Sequence, residues 1–300
     1  MNTKTPILER LKEFFQKKLV SFGKNANIVR ELVKKNIKVQ YRNSVIGALW
    51  TVLNPLLNML VMFFVFSVVL GYSNDRTYAL YILCGNIMFS FVRAATTQSL
   101  TSVVNNRGLL TKNKISQYVF PIANNLGAVV NFAFSSIALL AVMVVVSIIA
   151  GENFFSFNLL LTFLMLPALF LFSYGLSLIL ATMYVFFRDI QHLYSVFLTL
   201  WTYLTPIFWK TDNVLGIDDP SKVTVSTYVL KTTLTVVVNL NPMYHFVEYF
   251  RDIAYYCAAN DVSVITTFPT LGFLYLIGIL FAGVGTLIFS LTRKNFIYYI

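Results

Sequence analysis

The sequence predicts an all-α integral membrane protein with six transmembrane helices, on three observations. Of its 300 residues, 57% are hydrophobic and 12% charged, with a mean hydropathy of +0.71, whereas soluble domains carry about 25% charged residues. Apolar stretches long enough to cross a ~30 Å hydrocarbon core at ~1.5 Å per residue recur along the chain. Lys and Arg gather in alternate connections between those stretches, the asymmetry that marks the cytosolic side of a bilayer. The net charge of +11 is therefore a topology signal and no nucleic-acid footprint.

Residues 1–45 read as a cytosolic interface segment. Ile7, Leu8, Leu11, Phe14, Phe15 and Leu19 recur at helical spacing among Lys and Glu, and Ile28, Leu32, Val33, Ile37 and Val39 repeat the pattern. Such amphipathic helices lie in the plane of an anionic leaflet. No short apolar core precedes a small-residue cleavage site, so no signal peptide is expected. Over residues 36–57 the chain reads NIKVQYRNSVIGALWTVLNPLL, running unbroken from basic and polar to apolar, as a chain does on entering a bilayer.

Residues 46–300 read as the transmembrane domain, with spans over 46–70, 78–104, 119–150, 157–187, 193–209 and 268–291. The second is the weakest, because it holds Asn86, Arg93, Thr96, Thr97 and Gln98. A further apolar stretch is short and carries Glu248, Arg251 and Asp252. About 241–259 is therefore expected to be re-entrant, on short helices before the last span. The longest connection, 210–240, holds Gly216, Asp218-Asp219-Pro220 and a threonine- and valine-rich run, and is expected to be the loosest part.

The loops sort by charge. Eleven Lys and Arg precede the first span, Arg107, Lys112 and Lys114 lie between spans two and three, Arg188 follows span four, and Arg293 and Lys294 follow the last. The intervening loops are biased toward Asp and Glu. Both termini are thus expected in the cytosol, which requires an even number of spans.

No catalytic set stands out. His192 and His245 are the two histidines, and His245-x-x-Glu248 offers too few ligands for a metal site. There is no Walker A glycine loop, so uphill transport needs a partner or an ion gradient. Cys84 and Cys257 read as small buried apolar residues. No internal repeat is visible, which argues against most secondary transporters. Trp50 and Trp209 suit an aromatic belt. Arg93 must face protein or water, as a helix–helix hydrogen-bonding post or as part of a lumen. A membrane transferase on lipid-linked sugar would need converging acids or histidines, and only His245, Glu248 and Asp252 offer that. An ion-coupled carrier would need ionisable groups at mid-membrane, where Arg93 is the one candidate.

Four separated signatures give a family resemblance. They are Tyr41-Arg42-x-Ser44-x-x-Gly47-x-Leu49-Trp50-x-x-Leu53-x-Pro55; Phe120-Pro121 after a basic loop; Phe187-Arg188-Asp189-Ile190 with Thr205-Pro206-Ile207; and Asn241-Pro242 with Arg251. In this order the chain resembles the membrane subunit of ABC exporters for lipid-linked polysaccharides, the O-antigen and teichoic acid group. The resemblance implies a multi-pass permease of a bacterial or archaeal cytoplasmic membrane. It implies a homodimer working with two separate cytosolic ATPase chains that hold ATP and Mg, and no cofactor in this chain. The cargo it implies is a glycan on a polyprenyl pyrophosphate.

By the same resemblance, Tyr41, Arg42 and Ser44 would meet the lipid headgroup. Arg107, Lys112, Lys114, Arg188 and Asp189 would couple to the ATPase, through a helix in 105–118. Asn241, Pro242, Tyr244, Phe246, Glu248 and Arg251 would form an outer gate. Trp50, Phe63, Phe66, Phe197, Trp201 and Tyr203 would line the channel, since aromatic faces stack on sugar rings.

Overall fold

The computed structural model describes residues 26–40, 44, 46–69, 71, 77–112, 115–151, 157–211, 225–256 and 268–299. Among them all regular structure is helical. Helix α1 covers 26–40. Helix α2 (Trp50–Phe63) continues as a π-helical turn, Phe64–Val69. Then follow α3 (Tyr78–Leu100), the short α4 (Ser102–Asn105) and α5 (Arg107–Lys112), α6 (Val119–Ala150), α7 (Leu161–Phe186) and α8 (Ile190–Leu204). Helices α9 (Val225–Leu240), α10 (Pro242–Arg251), α11 (Phe268–Thr292) and α12 (Phe296–Tyr299) complete the chain.

Five helices are long and apolar enough to cross a membrane: Trp50–Val69, α3, α6, α7 and α11. Their burial differs sharply. In the most apolar part of α3, 72% of residues are buried, against 11% in Trp50–Val69, 28% in α6 and 22% in α11. Helix α3 is thus the inner post of the bundle, although its sequence is the least hydrophobic of the five. The other three leave apolar faces for lipid or another chain.

Helices α7 and α11 make the closest approach. A Cβ on Gly175 would lie 2.2 Å from the Phe281 backbone carbonyl, one on Gly285 2.3 Å from the Gly175 carbonyl oxygen, and one on Gly278 2.6 Å from that of Ala168. Small residues let two backbones touch where lipid gives no hydrophobic drive for association. The pairing order, Ala168 with Gly278 and then Gly175 with Gly285, makes the two helices parallel. Helix α6 stops at Gly151, whose φ of 74° suits a residue without Cβ and whose N–H bonds to the Ser147 carbonyl at 3.0 Å.

Two expectations change. The fifth span was expected to be helical over 193–209, but α8 ends at Leu204, because Pro206 forces Thr205 out of helical backbone, to ψ 127°. The segment nevertheless runs the height of α3. Tyr194 Oη donates to Thr96 Oγ1 at 2.7 Å, Trp201 stands edge-on to Phe89 at 5.7 Å, and Tyr78 Oη donates to the Phe208 carbonyl. The connection 210–240 is not wholly loose, since its threonine- and valine-rich part forms the 16-residue α9. β-Branched residues disfavour helix only weakly in isolation, and tertiary context overrides that preference.

Candidate functional site

Polar residues recur within the apolar helices at helical spacing. Asn86, Ser90, Arg93 and Thr97 share one face of α3, Asn54 and Asn58 one face of α2, and Ser195, Thr199 and Thr202 one face of α8. The fold turns these faces toward one another and they line a groove. At the α1 end lies an open pocket of about 450 Å³ between Lys35, Asn36, Gln40, Gln98, Asn105 and Asn124. Gln98 also borders the next stretch, with Thr97, Arg93, Ser90 and Thr199. Ser90, Arg93 and Thr199 border a third, with Asn58, Asn86, Thr202, Tyr203 and Phe208. A branch reaches Asn54, Asn131 and Ser135. The groove is therefore continuous along α3 from Gln98 to Asn86, about 18 Å at ~1.5 Å per residue; more than half of its lining residues carry an amide or hydroxyl, set among apolar carbon surface. No Asp or Glu lines it among the described residues.

At the Tyr78 end, the turn after α8 presents four backbone carbonyls that must find donors away from water. Tyr81 Oη shares its one proton between the carbonyls of Trp209 at 2.8 Å and Pro206 at 3.2 Å, Tyr78 Oη donates to Phe208, and Arg251 Nη2 donates to Ile207 at 3.2 Å. Arg251 is fully buried. It also donates to the Tyr81 carbonyl from Nε and Nη2 at 3.3 and 3.2 Å, pairs with Glu248 at 2.8 Å, and lies 3.4 Å from the centroid of the Tyr81 ring. Asn241 caps α10 by accepting from the Met243 N–H at 3.0 Å, with Pro242 at the first helical position. The same Asn241 accepts from Trp201 Nε1 at 2.7 Å and donates to Thr205 Oγ1 at 2.9 Å. Phe246 is buried against Phe172, and Tyr244 is half-buried beside His245. The outer-gate residues singled out in the sequence are thus brought together around α10, and Glu248 is committed to an ion pair.

At the other end, α1 docks through Leu32 onto Val119, Phe120 and Ala123, and Asn36 Nδ2 donates to Asn124 Oδ1 at 2.8 Å. The expected helix in 105–118 is shorter, formed by α5. Arg107 is exposed on it and Lys112 closes it, while Lys114 lies outside the described residues. Arg188 and Asp189 are exposed at the same end, between α7 and α8. The Arg188 guanidinium lies over the Tyr184 ring and reaches the Tyr299 carbonyl at 3.4 Å. Tyr41 and Arg42 lie outside the described residues. The Ser44 hydroxyl accepts from the Gly47 N–H at 3.1 Å, opening the turn that leads into α2.

The expected channel aromatics do not assemble into one lining. Tyr203 borders the groove, alongside Phe208 and also Phe89, the last of which the sequence did not single out. Phe66 stacks on Phe208 at 5.8 Å, and Phe197 is exposed beside Trp201. Trp201 is buried among Phe89, Phe172 and Phe197, because its indole N–H finds Asn241 inside the bundle. Phe63 packs on Tyr78 in an apolar recess with Leu56 and Val142, and Trp50 stands exposed at the start of α2.

The profile of the ABC-2 type transporter family matches residues 28–255, a stretch that contains every residue named as lining the groove. Among characterised proteins, the O-antigen export system permease protein RfbA of Klebsiella pneumoniae is 23% identical over 271 residues, covering 88% of this chain and 92% of that protein. The protein of the same name from Myxococcus xanthus is 28% identical over 224 residues, covering 75% and 78%. With the family profile matched across most of its length, the chain belongs to the ABC-2 type transporter family.

Proposed function

We propose that this chain is the permease subunit of an ATP-driven exporter that carries a polyprenyl-pyrophosphate-linked glycan from the cytosol to the outer face of a bacterial or archaeal cytoplasmic membrane. The cargo is an O-antigen, a teichoic acid or a similar cell-surface polysaccharide. The observation that carries the reading is the continuous amide- and hydroxyl-lined groove along α3, α2 and α8. Such groups exchange hydrogen bonds with sugar hydroxyls at each step, so a polymer can slide without a single strong site to hold it. The family, and relatives named as O-antigen export permeases, support the same reading.

In this proposal the groove is closed into a channel by a second copy of the chain, and two separate cytosolic ATPase chains hold ATP and Mg. Residues 1–45 form the interface segment and 46–300 the transmembrane domain, with six crossings and both termini cytosolic. The parallel course of α7 and α11 supports that count, because the chain between them must return across the bundle. The segment 190–209, which runs the height of α3, supplies the return. Tyr41, Arg42 and Ser44 receive the headgroup, and the cluster around α10 forms the outer gate.

The test is co-purification with candidate ABC ATPases from the same genome, followed by ATP hydrolysis with and without lipid-linked glycan. The expected outcome is a stable complex whose hydrolysis the glycan stimulates, and restored surface glycan in a cell lacking its own permease. A complex indifferent to every glycan, with no glycan restored, would count against export.

A further inference from the structure

Among the described residues, Arg93 is the one cation inside the groove beyond its α1 mouth, where Lys35 stands. Its guanidinium donates to Thr202 Oγ1 at 2.7 Å and lies 5.2 Å from the centroid of the Phe89 ring. Phe89 is one turn toward the Tyr78 end, so the side chain runs along α3 toward the middle of the bundle. The nearer helix end, at Leu100, lies behind it. An arginine that merely anchors a helix can snorkel toward the nearest surface; this one keeps the N-terminal lean usual for a helical side chain and stays within the groove, bonded to Thr202. A helix-to-helix post to Thr202 needs no charge, since an amide would serve. Among the described residues no carboxylate pairs with Arg93, and no Asp or Glu borders the groove to compensate it. Of the five guanidinium N–H donors, one is met by Thr202 among the described residues, and the exposed side chain borders two adjoining stretches of the groove.

We infer that Arg93 is an anion-recognition residue of the conduit, selecting cargo that bears phosphate or carboxylate oxygens. The inference rests on the export reading and deepens it by naming the charge of the cargo. A planar guanidinium holds such oxygens in a two-bonded fork, and a groove without carboxylates opposes no anion along the way. Two sources offer this chemistry: the pyrophosphate of the lipid carrier, and acidic groups along the glycan itself.

The test measures equilibrium binding to the purified full-length permease–ATPase complex. Its probes are paired so that charge is the variable: oligogalacturonate against maltohexaose, and farnesyl pyrophosphate against farnesol. The expected result is a preference of about tenfold or more for the charged member of at least one pair. Arg93→Gln removes that preference and Arg93→Lys keeps part of it. A preference in the sugar pair assigns the anion to the glycan, and one in the prenyl pair alone assigns it to the carrier. A wild-type complex with no preference in either pair overturns the inference without recourse to a variant, as does a preference that survives Arg93→Gln. If that wild-type complex still restores surface glycan, the export reading stands and only the role of Arg93 falls. If its hydrolysis is indifferent to every glycan and no glycan is restored, the export reading falls, whatever the probes show.

Discussion

Replacing Arg251 with methionine tests whether the Tyr78 end of the bundle is held by one buried guanidinium. Methionine keeps much of the apolar stem, so the change isolates the polar contacts. Three are lost: the paired donation to the Tyr81 carbonyl, the bond to the Ile207 carbonyl at 3.2 Å, and the pairing with Glu248 at 2.8 Å. Leaving the buried Ile207 carbonyl without its donor costs about 1–3 kcal/mol. The Tyr81 carbonyl lies inside α3 and keeps its helical donor, so losing the second pair of bonds there costs about 1 kcal/mol. The Glu248 side chain is 25% exposed, so water takes up part of the remaining loss. The sum is about 3 kcal/mol.

Cys84 supplies the assay. It is fully buried, one residue from Gly85, where an added Cβ would meet Arg251 Nη2 at 2.9 Å. In a Cys257→Ser background, thiol alkylation in detergent reports how often this end opens, provided that reclosing outpaces reaction. Arg251→Met is expected to speed alkylation by about a hundredfold or more. Arg251→Lys is expected to fall between, since an ammonium lacks the fork that reaches both carbonyls. An alkylation rate equal to wild type in Arg251→Met would refute the reasoning. It would leave Tyr78 and Tyr81 as sufficient holders of the turn.

Four further outcomes are expected. Gly175→Ala places a Cβ 2.2 Å from the Phe281 backbone and must push α7 and α11 apart, costing about 1–3 kcal/mol or more in detergent melting. Gly272→Ala, with nothing within 4 Å, is its control and should melt as wild type does. Asn125→Leu removes the bonds to Ser177 at 3.0 Å, Ser173 at 2.7 Å and the Pro121 carbonyl at 2.8 Å, and should cost about 1–2 kcal/mol in titration with a denaturing detergent. Lys112→Glu with Lys114→Glu should weaken assembly with the ATPase in pull-downs while the melting temperature holds, as expected if both lysines belong to a solvated cytosolic loop. Cysteine placed at Lys222 should react with an impermeant reagent from outside the cell and cysteine at Lys112 only after lysis; outside reaction at Lys112 would overturn the orientation.

The sequence by itself determined the class of the protein and most of its spans. Uninterrupted apolar runs leave the backbone one way to satisfy its hydrogen bonds in lipid, so 119–150 is a helix with the limits its composition sets. The Asn241-Pro242 cap was equally legible, because its chemistry is local. Hydropathy counts residues and not partners, and there it fell short. Helix α3 is the least hydrophobic span and yet the most buried, since Tyr78, Tyr81 and Thr96 carry the bonds that fix the 190–209 segment. Trp201 looked like channel lining but is tied to Asn241, 40 positions away. The groove could be half seen in the spacing of Asn86, Ser90, Arg93 and Thr97. That it faces the polar edges of α2 and α8, with Arg93 turned toward the middle of the bundle, depends on how three helices are rotated about their axes. Those rotations are set by long-range contacts, Arg251 on Tyr81 and Tyr194 on Thr96 among them, which no single stretch of sequence contains.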